Sequence, residues 1–317
     1  MKKFFRYFIK GIAFCFSFLI LFYFVQSVLT PKFKDDSTLK VDGIKQLVSR
    51  EKLDVLFCGS SQMFCAIDAQ ALTNEHGICA YDYGSSYQCL STTAYYLEEA
   101  LKYCSPKKIY VELGNIHITS LDLTEKALTW NYSPMDISFK KFESVLSVTG
   151  SSVKAAEHTF LPIVLYHSRW NEIQMHEITY YYDYFQDSTY INRGYVGKDK
   201  VVPVKMEYLN GDSDSFIIAE ENINAINKIH KICAEKGIDI RFFKVPSPFW
   251  KQSYSKALKK YLKEQDWFFG DFNDELNEIG IDGRTDFWDT MHMNTNGAKK
   301  FTDYLGERLL KLENNFN

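Results

Sequence analysis

The stretch LDVLFCGSS, residues 53–61, is a short apolar run that ends in a glycine and two serines. An apolar run of this length, closed by a turn signal, is typical of a buried strand. Gly59 allows the chain to turn sharply, because glycine has no Cβ to obstruct the turn. We therefore predict a strand over Leu53–Cys58 and a tight turn that carries Ser60 and Ser61.

Further predicted strands alternate with predicted helices along the chain. This alternation predicts an α/β fold, in which a central, mostly parallel sheet has helices on both faces. Gly237 fits the C′ position of one long helix. The predicted strands are Leu53–Cys58, Ile78–Tyr83, Lys108–Leu113, Asp239–Val245 and Asp266–Phe272, and the predicted helices are Val41–Ser49, Ser91–Tyr103, Ile218–Lys236, Ser253–Glu264 and Thr295–Leu312.

Small and polar residues follow the first three predicted strands. In a parallel sheet, ligands bind beyond the carboxyl ends of the strands, so these residues predict a site at one edge. Read alone, a Gly-Ser-Ser sequence is also compatible with a turn or a helix cap. The three segments are Gly59-Ser60-Ser61, Gly84-Ser85-Ser86 and Gly114-Asn115.

A second motif, DTMHMN at residues 289–294, stands directly before the last predicted helix. A histidine can act as general base toward a serine, and an aspartate three residues earlier can orient its imidazole. Alternatively, Asp289 caps the last helix and His292 is a surface residue. Asn294 or Thr295 is the better cap, which leaves Asp289 free.

Ser61, His292 and Asp289 are therefore our candidate nucleophile, base and orienting acid. Such a set performs hydrolysis or acyl transfer. Such a mechanism requires Ser61 Oγ to lie within hydrogen-bond reach of His292, and we predict that the fold brings the two side chains this close.

The N-terminal segment is free of charge between residues 11 and 29 and follows several cations. At about 1.5 Å per residue, such a helix nearly crosses a hydrocarbon core about 30 Å thick. Cations before the span predict that residues 1–10 are cytoplasmic and that the remainder lies outside the cell membrane. The alternative is a cleaved signal peptide, although the span is long for one and no small-residue cleavage site follows. We predict an anchor over 11–29, a stalk over 30–50 and a globular domain over 51–313.

The alternation of strands and helices breaks between residues 120 and 216. We predict a mostly helical insertion there, near the active face, that ends in a turn-rich stretch around Arg193-Gly194-Tyr195. Aromatic residues are frequent in it, notably in Tyr180–Phe185. Their side chains either form a core or stack on sugar rings.

Composition narrows the function further. The net charge of -3 offers no basic surface for nucleic acid. The seven cysteines contain no Cys-x-x-Cys pair, and no two histidines have zinc-site spacing, so we predict no metal and no cofactor. An exported domain permits disulfides, and whether they form stays open.

Together, the two motifs resemble those of the SGNH (GDSL-type) hydrolase superfamily. That superfamily has a three-layer α/β sandwich, with its serine just after the first strand and an Asp-x-x-His just before the last helix. The resemblance covers about residues 53–312, apart from the insertion. It implies a triad of Ser61, His292 and Asp289.

The resemblance also implies oxyanion and substrate-binding residues. Gly84 matches the second-block glycine, whose backbone N–H serves the oxyanion hole. Asn115 matches the third block, and Ser60 takes the position that is usually aspartate. The third block is normally Gly-x-Asn-Asp, and this chain departs from it because Ile116 follows Asn115.

A Gly-Ser-Ser variant on an N-terminal anchor is similar to membrane-anchored cell-envelope proteins of the D-alanine transfer and alginate O-acetylation type. These act with membrane-bound O-acyltransferases. The likeness implies a serine acyltransferase or esterase for O-acyl groups, acetyl or D-alanyl, of a cell-envelope polysaccharide or teichoic-acid-like polymer. Two alternatives stay open: a non-catalytic partner of the same fold that binds glycan or a membrane O-acyltransferase, and a lipid esterase.

Overall fold

The computed structural model describes residues 2–31, 37–175, 177–179, 193–212 and 214–314. Its central element is a five-stranded sheet in which all neighbouring strands are parallel. The predicted α/β class with a parallel sheet is therefore confirmed. The strands are β1 (Val55–Gly59), β2 (Ala80–Gly84), β3 (Lys108–Glu112), β4 (Asp239–Lys244) and β5 (Phe269–Asp271).

The strands lie in the order β2-β1-β3-β4-β5. In this doubly wound order the direction of progression reverses between β1 and β3. A crevice opens beyond the carboxyl ends of the strands at such a reversal. The Gly-Ser-Ser segment follows β1 and Gly114-Asn115 follows β3, so two of the predicted strand-end segments border this crevice.

Helices make up much of the rest of the described chain. They are α1 (Lys2–Leu29), α2 (Ser37–Val48), α3 (Ser61–Ala66), α4 (Ala69–His76), α5 (Leu90–Ala100), α6 (Glu125–Tyr132), α7 (Phe139–Val148), α8 (Val153–Phe160), α9 (Ile163–Tyr166), α10 (Glu207–Asn210), α11 (Glu220–Glu235), α12 (Gln252–Glu264), α13 (Leu276–Ile279) and α14 (Thr295–Asn314), with 3-10 turns at Ser120–Asp122 and His167–Asn171.

Both faces of the sheet are apolar, because side chains alternate along each strand and helices cover both sides. On β1, Leu56 and Cys58 belong to the core that includes α5, α11 and α12. Val55 and Phe57 belong to the opposite core, which includes α3, α4 and α14. The sheet is thus the middle of three layers, and its carboxyl edge is left for the site.

The first helix, α1, is long and apolar enough to cross a membrane by length and composition. Its candidate span covers Lys3–Leu29, with a mean hydropathy of 2.3 in a window that is only 6% buried. A helix that is apolar on all sides is typical of a protein core or a membrane span, and within the described residues α1 is not part of a core.

The second helix, α2, lies within the predicted stalk and packs against β2. Its Val41 and Ile44 are buried in the core, and the Tyr81 hydroxyl donates a hydrogen bond to the Lys40 carbonyl oxygen at 2.8 Å. The folded unit therefore includes residues that precede position 51.

Helix ends agree with the predictions in part. Gly237 has a φ of 65° and follows α11, as predicted for its C′ position. Helix α5 begins at Leu90, one residue before its predicted start at Ser91, and its N-cap is Cys89; the earlier start buries Leu90. The short helices α3 and α4 have no counterpart among the predicted helices.

The insertion begins with helices α6 to α9, which agrees with its predicted helical character. Tyr180–Phe185 lies outside the described residues. Arg193 and Gly194 form the predicted turn, both with positive φ, and the Arg193 carbonyl oxygen accepts the Asp82 N–H of β2 at 2.8 Å. A Cβ on Gly194 would lie 2.0 Å from the Asp82 carbonyl oxygen, so this close approach needs glycine.

Candidate active site

Ser61 is the first residue of α3, two positions after the end of β1. The first N–H groups of a helix have no acceptor within the helix, so the Ser61 N–H makes no intrahelical bond. Gly59 allows the turn to lie close to β3, because a Cβ at this position would be only 2.9 Å from the Glu112 Cβ. The half-buried Ser61 side chain is thereby held at the sheet edge.

The loop before α14 holds His292 and Asp289 in a tight reversal. Phe287 and Met293 form an antiparallel bridge, and the Trp288 N–H donates to the His292 carbonyl oxygen at 3.1 Å. Asp289 Oδ1 accepts the His292 backbone N–H at 2.8 Å. This bond and the reversal of the chain together hold the Asp289 carboxylate next to the imidazole.

The three candidate residues form one hydrogen-bonded chain. His292 Nδ1 lies 2.8 Å from Asp289 Oδ2, and His292 Nε2 lies 2.8 Å from Ser61 Oγ. An ionised carboxylate can only accept, so Nδ1 donates and Nε2 is left to accept the serine proton. The contact that we predicted between Ser61 and His292 is present.

Trp288 packs flat on the imidazole of His292. The ring centroids are 5.1 Å apart and the planes differ by 12°. The stacked indole and the bond to Asp289 together restrict rotation of the imidazole. Trp288 was not among the predicted site residues, although it directly precedes the Asp-x-x-His motif.

This arrangement can abstract a proton from a serine as the serine attacks an acyl carbon. The imidazole takes the proton, and the carboxylate stabilises the resulting imidazolium and keeps it oriented. The His292 side chain is 14% exposed and the Asp289 side chain is 33% exposed. The hydrogen-bonded chain of Ser61, His292 and Asp289, which we call the relay, therefore lies at the molecular surface.

Gly84 lies opposite Gly59 at the paired ends of β2 and β1. A Cβ on Gly84 would stand 2.0 Å from the Gly59 carbonyl oxygen, so only glycine fits. The structure thus supplies a packing reason for Gly84. Its predicted service to an oxyanion through the backbone N–H stays a prediction.

Ser60 caps the start of α3 in extended conformation, but its side chain makes no capping bond. Its hydroxyl is buried, and no partner for it occurs within the described ranges. Ser60 therefore lies behind the nucleophile, and a contact with substrate would require a change of its surroundings.

Asn115 lies at the predicted edge, after β3, and is buried. Its Nδ2 donates to the Gln88 carbonyl oxygen at 2.8 Å, and its Oδ1 lies 3.5 Å from Gln62 Nε2. One amide hydrogen is thus committed to the loop after β2. An oxyanion role for Asn115 depends on its second amide hydrogen.

A buried ion pair lies beneath the candidate nucleophile and was not predicted. Lys244 Nζ, at the end of β4, donates to Glu112 Oε1 and to Gln62 Oε1, both at 2.8 Å. The two charged side chains are 0% and 1% exposed. Burial lowers the pKa of Lys244, although Glu112 opposes this effect.

The ion pair positions the site because Gln62 directly follows Ser61. It ties the first turn of α3 to the ends of β3 and β4. A signal for it was present in the sequence, since Glu112 and Lys244 are the charged residues in otherwise apolar strand ends. The adjacency of β3 and β4 was needed to pair them.

The insertion also reaches this edge. Asn131 of α6 donates through Nδ2 to the Ser86 carbonyl oxygen at 2.9 Å and to Ser85 Oγ at 3.2 Å. Tyr87, in the same loop, is exposed with a φ of 56° and lies 6.4 Å from the Trp130 ring. Two aromatic rings therefore lie beside the strand ends, of which Trp130 belongs to the predicted insertion and Tyr87 does not.

No protein-family model matches this sequence, and a search of curated proteins found none that matches it.

Proposed function

We propose that this chain is an extracytoplasmic, membrane-anchored serine acyltransferase or esterase of SGNH type. Its substrates would be the O-acyl groups, acetyl or D-alanyl, of a cell-envelope polysaccharide or teichoic-acid-like polymer. The observation that carries the proposal is the continuous relay from Ser61 Oγ through His292 to Asp289, with both links at 2.8 Å. The anchor is α1, with its N-terminus in the cytoplasm.

In the proposed reaction, Ser61 Oγ attacks the acyl carbonyl carbon while His292 Nε2 takes its proton. The C–O bond of the donor ester breaks, and His292 returns the proton to the leaving hydroxyl. The acyl group is then an ester of Ser61, which water or a sugar hydroxyl cleaves by the same steps in reverse. The N–H groups of Ser61 and Gly84 and the free hydrogen of Asn115 are the donors proposed for the oxyanion.

The polymer substrate rests on resemblance and on position. The motif order resembles the SGNH superfamily, and a single anchor before a globular domain suits an envelope enzyme that acts with a membrane-bound O-acyltransferase. Tyr87 and Trp130 offer aromatic surface at the active edge, on which sugar rings stack.

Labelling with a serine-directed fluorophosphonate tests the proposal on the full chain in detergent. We expect covalent labelling of the wild type and none of Ser61→Ala. Ser60→Ala is the matched control, because it removes a neighbouring hydroxyl that is buried, and it should label like the wild type. Equal labelling of Ser61→Ala, or an unlabelled wild type, would refute a catalytic serine.

A second candidate function is a non-catalytic partner of the same fold that binds glycan or a membrane acyltransferase. The observation that favours it is the Asn115 amide, which is engaged with the Gln88 carbonyl oxygen at 2.8 Å. If the wild type fails to label but binds acetylated glycan in a pull-down, this second function replaces the first.

A further inference from the structure

Apolar side chains are exposed on one part of the insertion, residues 161–175 and 177–179, which we call the junction segment. It contains α9, the 3-10 turn at His167–Asn171 and the residues after that turn. Trp170 is 74% exposed and Met175 is 72% exposed. Leu161, Val164 and Ile178 of the same segment are also exposed. Exposed apolar groups that are concentrated in one segment mark a surface that contacts a protein or a membrane.

The junction segment contacts the end of α1. Both α9 and the 3-10 turn that follows it pack against this helix. Arg169 Nη1 donates to the Leu29 carbonyl oxygen at 2.8 Å, and Leu29 is buried. Leu29 is the last residue of the candidate span, so the junction segment lies where α1 would leave the hydrocarbon.

The attachment is held by more than one bond. Arg169 Nη2 pairs with both carboxylate oxygens of Glu177, at 2.8 and 3.1 Å. The side chains of the pair are 17% and 5% exposed. A cation at the end of a helix also interacts favourably with its last carbonyl groups. The guanidinium is thereby fixed to α1 on one side and to the junction segment on the other.

From these contacts we infer that the junction segment rests on the outer surface of the bilayer, with Trp170, Met175 and Ile178 among the lipids. The inference depends on the proposed role of α1 as a membrane span. Exposed tryptophan and aliphatic side chains beside the end of a span match the composition of the membrane interface. If α1 spans the membrane, lipid is the apolar environment next to the junction segment.

The charges of the junction segment indicate whether it recognises the headgroup charge or the apolar interfacial zone of the membrane. Arg169 is offset by Glu172 and Glu177, so the segment offers no excess of positive charge. Attraction to anionic lipid headgroups is therefore not the driving force. The apolar interfacial zone of a zwitterionic bilayer suffices, and the contact should be insensitive to salt.

The contact also fixes the active edge relative to the membrane. The junction segment packs through α9 on α8, and α8 packs on α6. Asn131 of α6 then bonds the loop after β2 at the active edge. The candidate site is thus linked to the bilayer through packed helices as well as through the chain connection.

Photo-crosslinking of the full chain in phosphatidylcholine nanodiscs tests this inference. The photoreactive residue p-benzoyl-phenylalanine replaces Trp170 or Met175 in turn. Phe18 in the middle of α1 is the control for the anchor. Leu209 and Ile217, exposed apolar residues outside the junction segment, are the controls for chance contact. Lipid adducts are then measured by mass spectrometry.

We expect adducts at positions 18, 170 and 175, at least tenfold fewer at 209 and 217, and no change between about 0.1 and about 1 M salt. Adducts at 18 without adducts at 170 and 175 would overturn the inference and leave the anchor intact. A failure at position 18 would overturn the anchor and the inference with it. Crosslinks from 170 to a second copy of the chain, without lipid adducts, would also contradict it.

Discussion

Replacement of Lys244 by methionine should severely destabilise the protein. Methionine keeps nearly the same length, so the change removes the charge and its two hydrogen bonds without opening a large cavity. Glu112 is left with its 1%-exposed side chain, and its Oε2 already has no partner among the described residues. Removal of one partner from a buried pair costs about 3–5 kcal/mol, a large part of the stability of a typical domain.

Neutralisation of the stranded carboxylate should recover much of this loss. We expect Lys244→Met/Glu112→Gln to be within about 2 kcal/mol of the wild type, because the remaining polar group carries no charge. The coupling free energy between the two substitutions is then at least about 1.5 kcal/mol. Urea denaturation of the full chain, followed by tryptophan fluorescence, measures it.

Lys259→Met is the matched control, because Lys259 pairs with Asp274 on the surface, with both side chains 44% exposed. Such pairs contribute at most about 1 kcal/mol. The reasoning would be refuted if Lys244→Met lost no more stability than this control, or if the double variant lost the sum of its two single changes.

Three further predictions concern other sites. Asp289→Asn should lower the rate of fluorophosphonate labelling by about 10³–10⁴-fold, because an amide can hold the wrong imidazole tautomer; a change below about tenfold would argue against the relay. Gly84→Ala should lower the free energy of unfolding by more than about 2 kcal/mol, since the new Cβ would lie 2.0 Å from the Gly59 carbonyl oxygen. Gly270→Ala is the control in the same urea titration. Its Cβ would have its nearest contact at 3.4 Å, so the free energy of unfolding should change little. Burial lowers the pKa of Lys141 to about 8, so between about pH 8 and 10.5 the folded state binds fewer protons than the unfolded state. The free energy of unfolding should therefore rise with pH in this range. Lys141→Met should abolish that rise, and an unchanged pH profile would contradict the prediction.

The sheet and the relay were predictable because their signals are local. Each strand is an apolar run that a glycine, proline or polar turn ends, and Asn294 caps α14 as predicted, with its Oδ1 accepting the Gly297 N–H at 3.0 Å. That cap left Asp289 free for His292. Two short motifs at strand and helix ends were therefore sufficient to place three side chains.

What the sequence left unresolved depends on contacts between distant segments. Glu112 and Lys244 stand out as charged residues at apolar strand ends, but the local sequence does not reveal that β3 and β4 are neighbours and bring the two side chains together. The helix α3 has six residues, too few for a periodic pattern, and its cap Ser60 makes no side-chain bond. The bond between Arg169 and Leu29 joins residues 140 positions apart, which no periodicity can indicate.

Ser61 and His292 stand 231 positions apart in the chain, one just after the first strand and the other just before the last helix. Synthesis runs from the N-terminus, so Ser61 emerges long before His292. A nascent or prematurely ended chain therefore holds the hydroxyl and nearly the whole sheet but lacks the imidazole. Under the proposed function, Ser61 becomes reactive only after the chain extends beyond His292, and copies that end earlier would not transfer acyl groups.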